Sequence, residues 1–274
     1  QSDGYSVVPF SHSWIHSTSE VILKGMTQMN SDAEQSHEST AENQNESVPG
    51  ALQGEVWLTI QTYQAQSLIR GRRAADGKPA IMGLIGFADR LKSLWQAVRF
   101  DDPYADWWLL KVEEGVADIR AQLQGLQQRM DALITESNSA FEFTVAQSSR
   151  PQRVSLQFAN PYAFRAAQLL GEYDRLTCAD MTLHHLGLDM PTDLIEQVSA
   201  SGRWVRRVFA LPQGYHSLDV RRSDIRQGTP AAIKARERMG EIPQDILNGE
   251  RLPSLRPLAF QQLNNNAIAD SDEG

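Results

Sequence analysis

One stretch of 30 residues, Asp106 to Thr135, constrains the fold of this chain more than any other part of the sequence. Its apolar residues follow one another in alternating steps of three and four, which predicts one α-helix with a narrow apolar stripe. At about 1.5 Å per residue this helix is about 45 Å long. The stripe needs a partner, and we favour a helix of the same chain over a second copy of the protein. It consists of Leu109, Val112, Val116, Ile119, Leu123, Leu126, Met130 and Leu133.

The length and composition limit the class of protein. A chain of 274 residues can bury a large hydrophobic core and can form one or two domains. It contains no run of 18 apolar residues, and residues 1–25 lack the pattern of a secretory signal, so we expect no membrane segment. Cys178 is the one cysteine, which excludes an internal disulfide. We therefore expect a cytoplasmic protein.

The negative charge is concentrated at the two ends of the sequence. Residues 1–50 carry a net charge of −6 and residues 261–274 carry −3, which leaves +1 for the body between them. Residues 27–50 contain almost no large apolar side chain and cannot offset the entropy lost on ordering. Because the chain begins with Gln1 and Met26 opens this polar run, Met26 is a second candidate for the true start.

The predicted organisation follows from this distribution of charge and of apolar residues. We predict a disordered acidic segment at 1–49, a single α-rich domain at 50–250 and a flexible tail at 251–274. The fold class is mainly α with a small antiparallel β element. Alternation predicts a strand at Glu55–Thr62, and a β-hairpin formed by Phe141–Ala146 and Arg153–Phe158. Predicted helices begin at or near Tyr63, Pro79, Asp106, Pro161, Pro191 and Pro230.

The sequence does not predict an enzyme. It lacks the common nucleotide, zinc and nucleophile motifs. Cys178 and His185 are seven residues apart and would share a helix face, but two ligands do not complete a metal site. Asp101 and Asp102 fit favourable charge at a helix start better than they fit catalysis. We expect no cofactor, no metal and no small-molecule substrate.

Basic residues are concentrated between positions 203 and 238, a stretch that contains eight arginines and one lysine but three acidic residues. Arg203, Arg206 and Arg207 are spaced to share one helix face, and Arg221 and Arg222 follow. The planar guanidinium group donates two hydrogen bonds at once and therefore suits phosphate. The charge alone leaves two interpretations open, which are a DNA-binding surface and a solvated face with salt bridges.

The strand at Arg153–Phe158 adds a geometric indication of DNA binding. Arg153, Ser155 and Gln157 alternate with apolar residues, so they share the polar face of the strand and suit base edges in a major groove. Two predicted helices follow, which is the order of a ribbon-helix-helix unit, and such a unit forms a homodimer because a lone strand has no partner. The alternative is pairing with Phe141–Ala146 inside one chain. Val56–Thr62, with Thr59 and Gln61 outward, is a rival ribbon strand.

Several stretches resemble a known family. They are GEVWLTIQTYQAQSLIRGR, DDPYADWWLLKVEE, VSLQFANPYAFRAAQLLGEYD, RRVFALPQGY and DIRQGTPAAIKARERMGEIP, and the resemblance spans about residues 50–250. The sequence is similar to proteins of integrating conjugative elements, which are related to the AcaB-type transcriptional regulators of conjugative plasmids. The resemblance implies a bacterial protein of a mobile genetic element with a ribbon-helix-helix unit that controls transfer genes. It assigns no base-contacting residue.

Two functional hypotheses follow. The first is a transcriptional regulator of conjugative-transfer genes that binds double-stranded DNA as a homodimer. Its candidate DNA-binding residues are Arg153, Ser155, Gln157, Arg203, Arg206, Arg207, Arg221 and Arg222. The second is a non-enzymatic interaction or assembly protein of the conjugation apparatus, whose long helix binds a partner helix and whose basic face is ordinary surface.

Overall fold

A computed structural model describes residues 56–75, 77–136, 143–156 and 160–257 of the chain. Within these ranges the fold is mainly α with a small antiparallel β element, which confirms the predicted fold class. The strands are β1 Val56–Ile60, β2 Gly71–Arg72, β3 Ile81–Met82 and β4 Gln152–Leu156. The helices are α1 Tyr63–Arg70, α2 Leu84–Arg99, α3 Pro103–Glu136, α4 Pro161–His185, α5 Thr192–Ala210, α6 Arg222–Gln227, α7 Pro230–Met239 and α8 Gln244–Leu247.

Helix α3 lies in the core, and its apolar stripe is covered within the chain. Leu109, Leu123 and Met130 are at most 1% exposed, and the neighbouring helices α2, α4 and α5 pack along this face. Burial of a large aliphatic side chain contributes about 1.5–3 kcal/mol, so the stripe stabilises this arrangement strongly. The preference for a partner helix from the same chain is confirmed.

The predicted hairpin between residues 141–146 and 153–158 is wrong. Residues 141 and 142 lie outside the described ranges, and residues 143–146 form no strand. Instead β4 pairs antiparallel with β1, so that Leu58 lies opposite Val154. These two apolar side chains pack against the hydrophobic core. The two candidate ribbon strands of the sequence therefore pair with each other inside one chain.

The helix predicted to begin at Pro79 begins at Leu84 instead, because β3 precedes it and pairs with β2. The two strands form a short hairpin directly after α1. Gly71 and Gly83 pack backbone against backbone at its base, where a Cβ atom on Gly71 would lie 2.1 Å from the carbonyl oxygen of Ile81. Gly71 also has a φ of 72°, which favours glycine. The close approach of the Gly71 and Gly83 backbones brings the two ends of the hairpin together where it joins α1 and α2.

A buried ion cluster joins the start of α3 to two later parts of the chain. Asp106 is fully buried, and one of its oxygens accepts a hydrogen bond from Arg222 Nη2 at 2.6 Å. Arg256 donates to both oxygens, at 2.9 and 3.0 Å. Arg222 also bonds Asp101. Removing one member leaves an uncompensated buried charge, so the cluster fixes these segments relative to one another.

The first residues of the predicted flexible tail are docked on the helical body. Besides the Arg256 contact, the backbone N–H of Ser254 donates to Glu113 at 2.9 Å, and that of Leu255 donates to the Tyr162 hydroxyl at 3.1 Å. Flexibility is thus the wrong description for residues 251–257, because tertiary hydrogen bonds hold them. Residues 258–274 and the predicted acidic segment 1–49 lie outside the described ranges.

Asp102 is a buried carboxylate at the start of α3. It accepts hydrogen bonds from the backbone N–H groups of Tyr104 and Ala105 at 2.8 and 3.2 Å, and from the Tyr215 hydroxyl at 2.7 Å. Burial nevertheless raises the pKa of Asp102 from 3.8 to about 6.

Among the described residues no helix combines the length and the apolar character that crossing a membrane requires.

The raised pKa of Asp102 predicts a pH-dependent stability. Between about pH 4 and pH 6 the folded state binds the Asp102 proton more tightly than the unfolded chain, so this group lowers the free energy of unfolding as pH rises. The full effect is up to about 3 kcal/mol. Asp102→Asn removes the titration and keeps an oxygen that caps α3. We expect the variant to gain stability relative to wild type as pH rises from 4 to 7.5.

Urea unfolding at several pH values measures this difference. Asp118→Asn, on an exposed position of α3, is the matched control and should follow the wild-type curve. Parallel stability curves for wild type and Asp102→Asn would contradict the account.

Candidate nucleic-acid interface

The β1–β4 ribbon presents four side chains on the face that points away from the core. In the antiparallel register Trp57 lies opposite Ser155, and Thr59 lies opposite Arg153. All four residues are exposed. Alternation places Leu58 and Val154 on the other face, which packs on the helices. We call Trp57, Thr59, Arg153 and Ser155 the outer ribbon face.

Two members of the outer ribbon face contact each other. The guanidinium carbon of Arg153 lies 4.9 Å from the ring centroid of Trp57, diagonally across the two strands. A cation–π contact at an exposed site contributes about 0.5–1 kcal/mol. The contact restricts the long arginine side chain and lowers the entropy that a ligand would have to remove. Arg153 is therefore held along the ribbon.

The ribbon is narrow enough to enter a DNA groove. Its two strands lie about 4.8 Å apart, and a major groove about 12 Å wide admits a two-stranded β-ribbon. The hydroxyl groups of Thr59 and Ser155 can donate or accept hydrogen bonds, while Arg153 can donate two in parallel. Chemically the outer ribbon face can bind the acceptor-rich edge of guanine and a range of other base edges.

Besides the apolar packing of its inner face, the ribbon is joined to the helical body by a buried carboxylate, that of Asp174 in α4. Its Oδ2 accepts the backbone N–H of Gln61 at 2.7 Å. Its Oδ1 accepts the backbone N–H and the hydroxyl of Thr62 at 2.9 and 2.6 Å. Thr62 in turn caps α1 by accepting from the N–H of Ala65. One side chain thus holds the junction of β1 and α1 against α4.

The residues after each strand show why helices begin there. Thr62 and Asn160 have extended backbones, and each side chain accepts a hydrogen bond from the first turn of the following helix. Pro161 occupies the first position of α4, where a missing N–H costs nothing.

Gln61, which the sequence predicts to point outward from the strand at Val56–Thr62, lies just after β1. Its side-chain oxygen accepts a hydrogen bond from the backbone N–H of Ser148.

The structure separates the predicted arginines of α5 into two groups. Arg203 and Arg207 are exposed on the outer face of the helix, whereas Arg206 is half-buried and its Nε donates to the carbonyl oxygen of Gly202 at 3.1 Å. Within the described part of the chain none of the three forms an ion pair with a carboxylate. The guanidinium groups of Arg203 and Arg207 are therefore accessible at the surface, whereas that of Arg206 is bonded to the backbone of its own helix.

The remaining candidates differ in exposure. Arg221 is exposed where α6 begins. The prediction that Arg222 belongs to the same surface is wrong, because its guanidinium group is buried in the ion cluster with Asp101 and Asp106. Gln157 lies outside the described residues. Arg153 and Ser155 are thus the predicted residues that the structure brings together on one strand face.

A second basic element is the β2–β3 hairpin. Arg72, Arg73 and Lys78 are exposed in it, and Ala75 bridges to Lys78 across a turn at Gly77, whose φ is 73°. Strand β3 packs against α5. The hairpin cations and the exposed α5 arginines consequently lie on adjoining elements.

The cleft beside β1 does not extend this basic character. It has a volume of about 920 Å³ and its walls carry Thr59, Arg120 and Arg175 together with three acidic residues. Arg120 pairs with Glu172 at 2.9 Å, which compensates one of the two positive charges in the wall of the cleft. The charges of the cleft therefore favour the outer ribbon face over the cleft as the candidate site.

No group of three metal-ligating side chains occurs among the residues that the structure describes.

Sequence reasoning missed two parts of this site. The pairing of β1 with β4 joins positions nearly a hundred residues apart, and local patterns carry no signal for it. Asp174 is only 3% exposed, and no local pattern distinguishes a buried aspartate in a helix from a solvent-facing one. The alternation within each strand was the signal that could have identified Thr59 as a companion of Arg153.

The fold and the candidate site define a helical protein with an exposed two-stranded antiparallel ribbon, and some DNA-binding proteins read base edges with such a ribbon. A family model described as "Transcriptional regulator AcaB" matches residues 48–259. The chain therefore belongs to the AcaB family of transcriptional regulators. No curated protein matches it.

One solved structure supports the fold. The crystal structure of selenomethionine-containing AcaB from uropathogenic E. coli matches with a TM-score of 0.51 and 13% sequence identity. The match covers 72% of this chain and 95% of that chain. At this identity the similarity concerns the fold alone.

The Asp174 anchor generates a prediction. Asp174→Asn keeps an oxygen that can accept both bonds from Thr62 but sets an amide NH2 group against the backbone N–H of Gln61, which loses its acceptor. We expect the free energy of unfolding to fall by about 1–3 kcal/mol. Amide hydrogen exchange should also accelerate in β1 and at the start of α1.

Asp189→Asn, on the exposed turn between α4 and α5, provides the control and should leave both measurements unchanged. Wild-type exchange rates in β1 of the Asp174→Asn variant would show that this carboxylate does not hold the ribbon.

Proposed function

We propose that this protein is a DNA-binding transcriptional regulator of conjugative-transfer genes on an integrating conjugative element, acting in the cytoplasm. The observation that carries the proposal is the outer ribbon face, where Arg153 stands beside two hydroxyl groups on a two-stranded ribbon. Membership of a family of transcriptional regulators supports it. The resemblance of the sequence to proteins of mobile elements supplies the class of target genes.

In the proposed complex the outer ribbon face lies in the major groove. Arg153 donates its paired hydrogen bonds to a guanine, and Thr59 and Ser155 contact neighbouring base edges. Base contacts of this kind carry sequence preference, whereas contacts to phosphates position the protein without reading sequence. We assign the second role to Arg203 and Arg207, together with the hairpin cations Arg72 and Arg73.

The proposed unit is a ribbon-helix-helix arrangement, since β4 leads into α4 and α5. The sequence predicts a homodimer because a lone strand needs a partner, but β4 has that partner in β1 of the same chain. The alternative function, an assembly protein of the conjugation apparatus, required a free stripe on α3. That stripe is covered by helices of the same chain. The described structure therefore favours the regulator.

Arg153→Ala tests the base-reading role. We expect a loss of about 1–3 kcal/mol in binding to the preferred duplex, because the bidentate contact is removed, and little change in binding to unrelated duplexes. Fluorescence anisotropy with both duplexes at a fixed, near-physiological salt concentration measures the two affinities.

Arg90→Ala, which removes an exposed arginine of α2, is the control for a general loss of charge. An equal loss of affinity for both duplexes with Arg153→Ala would contradict the proposed role.

The double substitution Arg203→Ala with Arg207→Ala tests the phosphate-binding role. Each phosphate contact contributes about 0.9 to the slope of log affinity against log salt. We therefore expect a slope that is shallower by up to about 2, with weaker binding to every duplex. Affinities at four or more salt concentrations give the slope.

Arg206→Ala is the matched control within the same helix, because its side chain bonds the backbone of α5. It should leave the slope close to wild type. A wild-type slope in the double variant would remove α5 from the proposed interface.

A further inference from the structure

The ribbon of this protein is complete within one chain. Both strands, β1 and β4, come from the same molecule, and each of the five residues of one strand has a partner in the other. In a dimeric ribbon-helix-helix protein, by contrast, each chain supplies one strand. Here the inner face of the ribbon is also used within the chain, since Leu58 and Val154 pack on its core.

The helices that follow the two strands also come from one chain. Strand β1 is followed by α1 and, after the β2–β3 hairpin, by α2, whereas strand β4 is followed by α4 and α5. Helices α1, α2, α4 and α5 all contact one another. One chain thus contains two strand-helix-helix halves, the content that two chains contribute in a dimer.

The two halves are not equivalent. The first helix after β1 has 8 residues, whereas the first helix after β4 has 25. The outer ribbon face carries Trp57 and Thr59 on β1, and Arg153 and Ser155 on β4. The only cation of this face therefore belongs to β4. A twofold axis cannot relate the two strands, so the surface that they present is asymmetric.

From this we infer that one chain recognises one non-palindromic DNA site, with β1 and β4 reading different bases in a single major groove. The inference rests on the proposed function. Identical strands in a dimer read sequences that mirror the twofold symmetry of the protein. Different strands in one chain impose no such symmetry, and the position of Arg153 fixes the direction in which the protein lies on the duplex.

The dimensions of the ribbon limit the length of the site. About 17 Å of strand corresponds to about five base pairs at about 3.4 Å each. We expect the core motif to be of this length. Contacts from Arg203, Arg207 and the hairpin cations would lie on flanking phosphates and add no sequence requirement.

The test has two parts. Selection of bound duplexes from a random library by the full chain gives the motif, and native mass spectrometry on a duplex that contains one motif gives the stoichiometry. We expect a motif without twofold symmetry and one chain per duplex. A palindromic motif occupied by two chains would overturn this inference and leave the proposed function intact.

Matched variants of the two strands sharpen the result. Thr59→Ala and Ser155→Ala each remove one hydroxyl group from the outer ribbon face. We expect each to relax preference at its own position of the motif, with the two positions different. Relaxation of the same symmetry-related pair of positions by both variants would contradict the inference. If the wild-type chain selects no sequence at all, the proposed function fails and this inference fails with it.

Discussion

The position of the ribbon depends on the buried carboxylate of Asp174. A buried charge is costly unless it is fully hydrogen-bonded, and here three donors from two adjacent residues satisfy it. These residues form the junction at which β1 ends and α1 begins. Because β4 leads into α4, and α4 carries Asp174, the carboxylate connects the two halves of the chain that meet in the ribbon. Displacing it would loosen the β1–α1 junction and leave the packing of Leu58 and Val154 on the core as the remaining support of the ribbon.

A second buried cluster explains why arginines that look alike in the sequence have different roles. Arg222 is committed to Asp101 and Asp106 inside the protein, while Arg203 and Arg207 remain at the surface. The cluster also holds Arg256 and with it the segment that follows α8. Charge density along a sequence therefore overstates the basic surface that is available to a ligand. Among the predicted DNA-binding arginines, the described structure leaves Arg153, Arg203, Arg207 and Arg221 exposed and buries Arg222.

Much of this fold follows from local patterns. The spacing of apolar residues predicts α3, and Asn160 with Pro161 marks the start of α4, because both are local properties of the sequence. Alternation identifies β1 and β4 as strands and assigns Thr59, Arg153 and Ser155 to their polar faces. Their mutual pairing depends on tertiary packing across nearly a hundred residues, and adjacency in sequence favoured the wrong partner for β4. The burial of Arg222 and Asp174 likewise depends on distant residues that no local pattern reveals.

The central claim is that a single chain forms the whole ribbon, and a cross-linking experiment tests it most directly. Trp57→Cys and Ser155→Cys place two thiols directly opposite each other, while burial raises the pKa of Cys178 to about 11 and makes its thiol slow to react. After mild oxidation the double variant should form the disulfide within one chain and keep the mass of a monomer. An equal mixture of the two single variants should form no linked pair. A disulfide-linked dimer in that mixture would show that the strands pair between chains and would contradict the account.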